Sequence, residues 1–319
     1  KGTSLAAGKY AGTVTVDDPQ AANGPLKITV TLKVMAANKN AAPIGKISSP
    51  ENKAKVDSCI AVAGWALDDI GVAGVTVKRN RVASDSDEDV DDDGLVTLGA
   101  ASLIRGARPD LEKKYAAKYP RADRAGWGYT LETNLLPNNG NGTFKITAVA
   151  ADLAGRTKRL GIRTITMDNA NAKKPFGSID APAMGETVSG SAFAQTGWAL
   201  TPQPDAIPVD GSTITVAVDG AAVGHPQYNI ANAYVAAHYP GYANTDGAGG
   251  SFALDTTTLA NTIHTIAWRV KDNNADSVEN TSLVGLRYFD VLNIGSSTAS
   301  RPDAELDAEY PEAARLPEV

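Results

Sequence analysis

One cysteine, Cys59, is present among 319 residues. A lone thiol cannot form an internal disulfide, so the fold must be held by packing. Its apolar neighbours (CIAVAGW) mark it as a small buried hydrophobe. Histidines number three, His225, His238 and His264, and none has a cysteine or second histidine at metal-ligand spacing. No nucleophile elbow, phosphate-binding loop, HExxH motif or Cys/His cluster is found, so no catalytic residue is assigned and the chain reads as a non-enzyme. Aromatic residues make up 6% of the chain, too few for an extended stacking surface. The net charge of −6 and the lack of a basic stripe argue against nucleic acid as the partner. No apolar run approaches the roughly 20 residues of a membrane-spanning helix. No secretory signal segment is read in this sequence. The opening KGTSLAAGKYAG falls mid-pattern, which reads as a piece of a longer precursor.

What is abundant is repetition. GKISSPENKAKVDSCIAVAGWAL (45–67) returns as GSIDAPAMGETVSGSAFAQTGWAL (177–200). YAAKYP (115–120) returns within YVAAHYP (234–240), and ITAVAADLAG (146–155) as TIAWRVKDNNA (265–275). Trp65 and Trp198 lie 133 residues apart, but Pro120 and Pro240 lie 120 apart. The copies therefore differ by loop insertions: about eight residues after Trp198 and about 19 around positions 81–99. His238 stands where the first copy has Lys118, a variable position that speaks against a catalytic base. Duplication at this scale predicts a chain of modules, each with its own core.

Residues 1–37 read as two strands. YAGTVTVDD and LKITVTLKV alternate β-branched or apolar residues with polar ones, as half-buried antiparallel strands do. A two-stranded unit is marginal alone, so this hairpin must lean on something. The first full copy is expected to contain strands at IAVAGWAL, VAGVTVKRN, GWGYTLETN, GTFKITAVAAD and RLGIRTITMD. GARPDLEKKYAAKYP breaks the pattern. Pro109 suits a first helical turn, and Leu111, Tyr115 and Lys118 share a helical face. The second copy repeats the plan. Trp65 and Trp198 recur in one strand and are expected in the cores. The last 25 residues, from Gly295, are acidic and Pro-bearing, a composition that does not order alone.

Two resemblances follow from these strings. LAAGKYAGTVTVDDPQAANGPLKITVTLKV resembles the closing strands of a bacterial immunoglobulin-like module of the BACON type. The GWAL strand, the inserted RPD…YP segment and the D-x-A-G turn resemble tandem immunoglobulin-like modules of secreted or surface-anchored bacterial proteins. The second copy departs at the turn, where Asp272-Asn273-Asn274-Ala275 replaces Asp152-Leu153-Ala154-Gly155. The resemblances imply an all-β chain of tandem immunoglobulin-like antiparallel β-sandwiches, each full module with a short inserted helix. The expected division is 1–40, the end of an incomplete module; 41–170, a module with an acidic insertion; 171–293, a module; and 294–319, an acidic tail. They imply an extracellular or cell-surface location.

Three constellations are candidates for binding. In DSDEDVDDDG, Asp89, Asp91, Asp93 and Gly94 spell D-x-D-x-D-G, and alternate carboxylates before a glycine turn can surround a hard Ca²⁺ ion. Position 12 of such a loop is Ala100 rather than Glu, and flanking helices are missing, so a solvated acidic hairpin tip is the alternative. The linker residues Asp168 and Asn169, with Asn171, are a second cation candidate, shared with turns bearing Asp152 or Asp68 and Asp69; an ordinary Asn-rich turn is the alternative. Trp127 and Tyr129, with Tyr239 and Tyr242, are candidates for a glycan platform. Trp127 aligns near Gly250, so the fold does not demand it, and it is the leading exposed contact residue.

The expected function is a non-catalytic extracellular structural or adhesive segment, in its sharper form a subunit of a self-assembling surface filament. The alternative is a carbohydrate-binding accessory region of a secreted hydrolase. No cofactor is required, and Ca²⁺ is the candidate ion. Expected partners are further copies of the chain or neighbouring modules of a longer one, with a glycan as candidate ligand. The tail string RPDAELDAEYP echoes RPDLEKKYAAKYP, so the tail is expected to begin a third module or to dock where such a segment docks.

Overall fold

The computed structural model describes residues 5–17, 25–34, 41–276 and 280–293. The expectations for the hairpin turn and for the tail lie outside these residues.

The first element is a ribbon of two antiparallel strands, β1 (Gly8–Val16) and β2 (Leu26–Val34). Its register places Tyr10 opposite Leu32, Gly12 opposite Val30, Val14 opposite Ile28 and Val16 opposite Leu26. Period two puts all of these on one face and the threonines on the other. Val14, Val16, Leu26, Ile28, Val30 and Leu32 are all exposed.

The first sandwich runs through β3 (Ile44–Ser49), β4 (Lys55–Val56), β5 (Cys59–Leu67), β6 (Val72–Asn80), β7 (Leu95–Ile104), β8 (Gly126–Glu132), β9 (Gly142–Asp152) and β10 (Thr157–Met167). Its hydrogen bonding is continuous in the order β3-β5-β8-β7-β6-β9-β10-β4. The two layers are joined by β7, whose first part pairs with β6 and whose last residues, Ser102–Ile104, pair with β8. Every pairing is antiparallel except β4 with β10. Ile47, Val62, Val77, Trp127, Ile146, Ala148 and Ile165 fill the space between the layers.

The second sandwich comprises β11 (Phe176–Ala181), β12 (Thr187–Val188), β13 (Phe193–Leu200), β14 (Ile214–Val218), β15 (Ala221–Gly224), β16 (Gln227–Ile230), β17 (Gly249–Leu254), β18 (Ile263–Lys271) and β19 (Thr281–Val291). Here the layers are separate sheets, β11-β13-β17-β16 and β12-β19-β18-β14-β15. The place of β7 is taken by two short strands with Pro226 between them. Proline supplies no N–H to a ladder, so the strand cannot run through. Both modules open with a strand that pairs in one layer and continues, after a break, parallel to the last strand of the other. This is the immunoglobulin-like arrangement.

Each module carries one short α-helix on its outer face: α1 (Pro109–Tyr115) and α2 (Ala233–His238). Asn232 caps α2 by accepting from the Val235 N–H at 3.1 Å, whereas α1 has Pro109 at its start and no side-chain cap. Helices this short are unstable alone and are held by burial of Leu111 and Val235.

That burial corrects the expectation for the repeated tryptophans. Successive residues of a strand face opposite sides. Val62, Gly64 and Ala66 face the sandwich interior, so Trp65 and Leu67 point outward beneath α1. Trp198 and Leu200 likewise lie beneath α2.

Candidate functional site: the junction between the modules

The site with the densest chemistry lies between the two sandwiches. Strand β8 ends at Glu132, and its carboxylate Oε2 accepts from the Tyr239 hydroxyl at 2.7 Å and the Tyr234 hydroxyl at 2.8 Å, both from the second module. Asn134 Nδ2 donates to the Tyr242 hydroxyl at 3.2 Å. Tyr239 is 2% exposed and sits among Phe176, Trp198 and Tyr242, with ring centroids 5.0–6.2 Å away. Cys59, at the start of β5, packs against this cluster. Burial pushes its thiol pKa up, as does nearby Glu132, so it stays a protonated apolar filler. Burial also raises the Tyr239 hydroxyl, with Cys59 and Glu132 adding to the shift, so the group acts as a donor and not as an acid.

A second contact flanks the first. Ile104 and Ala107 of the first module cluster with Ile263, Tyr288 and Met184 of the second. The joint thus combines two apolar patches with charge-assisted hydrogen bonds. Hydrogen bonds to a charged group contribute more than neutral ones and fix geometry more sharply.

The linker stiffens the joint from the first module's side. Asn169 Oδ1 accepts from the Ser58 N–H at 2.7 Å and the Thr133 hydroxyl at 3.0 Å, and its Nδ2 donates to the Asn139 carbonyl at 2.8 Å. Asp168 pairs with Lys55 at 2.6 Å and accepts from Asn171 at 2.7 Å. The hydrogen bond from Lys55 holds the Asp168 carboxyl below its usual pKa range. Asp168 and Asn169, the residues expected to share an ion, thus each have protein partners among the described residues. Asp69 lies instead beside Ala41, where its carboxylate accepts from the Ala41 N–H at 3.2 Å.

The acidic insertion is held by cations of its own strand. Arg79 donates to both oxygens of Asp85, at 2.6 and 2.7 Å, and both side chains are almost fully buried. Lys78 Nζ lies 3.1 Å from Asp91 and 3.0 Å from Asp93. Asp91 also accepts from Thr97, and Asp89 from Ser86. Among the described residues, no group of three or more His, Cys, Asp or Glu side chains converges as a metal site requires.

The expected glycan contact residue is overturned. Trp127 is fully buried in the first core, where it faces Gly64. Its alignment with Gly250 reflects an exchange of core volume, not freedom from the fold. Tyr129 is partly buried and donates to the Leu98 carbonyl at 3.0 Å. Tyr239 and Tyr242 belong to the junction. Glu132, Asn134, Met184 and Tyr288 were not singled out by the sequence. Glu132 recurs as Asp255 and Tyr239 as Tyr119, so repetition alone marks neither as functional.

No family model matches the chain, and no curated protein does. Solved structures resemble it distantly. Domains 4–9 of the surface layer protein SbsC share 11% identity over 92% of this chain and 36% of that one, with a TM-score of 0.34. The fibronectin(III)-like modules of Clostridium thermocellum CbhA share 14% over 78% of this chain and 94% of theirs, TM-score 0.23. A 1.5-MDa bacterial ice-binding adhesin shares 15% over 89% and 74%, TM-score 0.22. None of them carries a function over to this chain. No helix among the described residues is long and apolar enough to cross a membrane.

Proposed function

We propose that this chain is a non-catalytic spacer segment of an extracellular bacterial protein, built to hold successive β-sandwiches at a fixed mutual orientation. The observation behind this reading is the Glu132–Tyr239 contact, in which a half-buried carboxylate meets a buried tyrosine. A carboxylate held by two tyrosine hydroxyls at the edge of an aromatic cluster resists the domain motion expected of a small polar interface. The extracellular setting rests on the resemblance of the GWAL strands to surface-protein modules. In its sharper form the chain is a subunit of a surface filament, for which a fixed module angle is a precondition. The glycan-binding alternative loses its leading residue with the burial of Trp127.

Distance distributions between spin labels on the two modules, at exposed Lys113 and exposed Thr257, test the spacer. A single narrow distribution that broadens on Glu132→Ala supports it. A broad distribution in the unaltered chain rules it out.

A further inference from the structure

The two modules present the same outer face, and among the described residues only one of the two is covered. In the second module, Phe176, Trp198 and Tyr239 are 4%, 1% and 2% exposed, because the strand end of the first module, with Cys59 and Glu132, closes over them. Their counterparts follow from register. Ile44 pairs with Leu67 as Phe176 pairs with Leu200. Trp65 and Trp198 precede those leucines by two, and Tyr119 and Tyr239 each precede a proline. Ile44 is 42% exposed, and Trp65 and Tyr119 are only partly buried. The second module therefore shows what covers such a face: the carboxylate-bearing strand end of another sandwich.

We propose that the Ile44–Trp65–Tyr119 face of the first module is a docking surface for the second module's strand end in another copy of this chain, with Asp255 standing where Glu132 stands in the junction. Asp255 and Glu132 occupy the same place, each immediately before a fully buried threonine, Thr256 or Thr133. Asp255 Oδ1 accepts from Thr257, while its Oδ2 makes no hydrogen bond among the described residues. Aspartate is one methylene shorter than glutamate, and the receiving face makes up the reach. Lys114 takes the position of Tyr234, and Lys118 that of His238. Both lysines are exposed, with ammonium groups 5.0 and 4.9 Å from the centroids of Tyr115 and Tyr119. A basic rim around an aromatic patch complements an acidic strand end.

This inference rests on the filament version of the proposed function and gives it a surface. The two contacting patches differ, so the contact is heterologous. A heterologous contact that does not close gives an open chain of copies.

Light scattering and sedimentation of the full chain over a range of concentrations test it. The unaltered chain should grow with concentration. A head variant (Ile44→Asp with Tyr119→Glu) and a tail variant (Asp255→Lys) should each stay monomeric. Their 1:1 mixture should stop at dimers, because it can form one junction and no more. Lys114→Glu with Lys118→Glu alters only exposed side chains and should weaken association at least about tenfold. Near-ultraviolet signals from the buried tryptophans report that every variant stays folded. Assembly that both variants leave intact overturns this surface while leaving the filament reading in place. An unaltered chain that stays monomeric at all concentrations overturns both, and the spacer reading then stands or falls on the spin-label distances alone.

Discussion

Trp127 and Trp268 fill corresponding core volumes from opposite sheets. Gly64 pairs with Trp127 in the first module, and its counterpart Gly197 pairs with Gly250 in the second. In return, Trp268 stands four residues before Asp272 where Ala148 stands four before Asp152. A Cβ added at Gly250 would come within 2.8 Å of the Trp268 ring, so the missing side chain on one layer is the space taken by the other. Trp268 Nε1 donates to Gln195 Oε1 at 2.9 Å. The corresponding residue in the first module is Val62, and Trp127 Nε1 is buried without a partner among the described residues.

Truncating either indole to alanine is expected to cost about 3–5 kcal/mol by guanidinium melts, the range for large core aromatics. Adding Gly250→Trp to Trp268→Ala should restore part of that loss, whereas Gly250→Trp alone should destabilise by overpacking. Equal losses for the double variant and for the sum of the singles would show that the two indoles do not exchange places.

Asn169 and Asn293 form a second internal pair. Asn293 Oδ1 accepts from the Gly190 N–H at 2.9 Å and the Thr256 hydroxyl at 3.1 Å, repeating the bonds of Asn169 to Ser58 and Thr133. Replacement of either asparagine by alanine leaves the Ser58 or Gly190 N–H short of an acceptor, while the threonine hydroxyls keep the Ser58 and Gly190 carbonyls at 2.6 and 2.8 Å. The expected loss is about 1–3 kcal/mol for each, read as a lower denaturant midpoint. Replacement of Asn171, which bonds Asp168 at the surface, should change little.

The ribbon, β6 and β9 were legible in the sequence because β-branched residues alternate along them. The helices were legible from Pro109 and from the spacing of Leu111 and Tyr115, although α1 stops at Tyr115, short of the expected turn at Pro120. Strand β7 was not, because GAAS at its centre lacks β-branched residues and its two ends serve different layers. The inward or outward sense of Trp65 was hidden because the GWAL string is apolar on both faces. The junction was hidden for a different reason. A contact between modules leaves no periodicity, and its central pair, Glu132 and Tyr239, has counterparts in the other copy at Asp255 and Tyr119.

His264 makes the second module pH-sensitive. Its Nδ1 lies 2.6 Å from Asp219 Oδ2 and its Nε2 lies 2.9 Å from the Ala260 carbonyl. Both partners are acceptors, so the ring fits only as the imidazolium. Burial opposes that charge, but the bonds to Asp219 and Ala260 outweigh it and raise the folded pKa above its ordinary value. The pair's stabilisation is therefore complete below the unfolded value of about 6.5 and is lost as pH rises through the folded pKa. Melting temperature should fall across that window in the unaltered chain. A His264→Phe variant, which carries the residue found at the matching Phe144, should show a flatter profile. Equal slopes would remove His264 as the source.

The acidic insertion should respond at the other end of the scale. The Arg79 hydrogen bonds hold the Asp85 pKa down at about 2. Its contribution is present above the unfolded value of about 3.9 and is lost as pH falls towards 2. Arg79→Met leaves Asp85 buried without its cation and is expected to cost about 3–5 kcal/mol. Lys78→Met frees Asp91 and Asp93, and only in that variant should added Ca²⁺ raise the melting temperature. A calcium-dependent rise in the unaltered chain would mean that the ion displaces Lys78.

The junction itself should make the two modules unfold together. Glu132 accepts from two tyrosines of the neighbouring module, and an apolar cluster lies on either side of it. Hydrogen bonds to a charged group contribute about 1.5–3 kcal/mol each. That coupling is large against the stability of a domain of this size, so calorimetry of the unaltered chain should show one transition for both sandwiches. Glu132→Ala removes the acceptor and leaves the Tyr239 hydroxyl buried without a partner, which should split the transition in two. Tyr239→Phe removes one donor while keeping the ring against Phe176 and Trp198, and should separate the transitions less. The two substitutions share one bond, so combining them should cost less than the sum of the single losses. Additive losses, or two transitions already present in the unaltered chain, would mean that the modules touch without being coupled and that the spacer is a hinge.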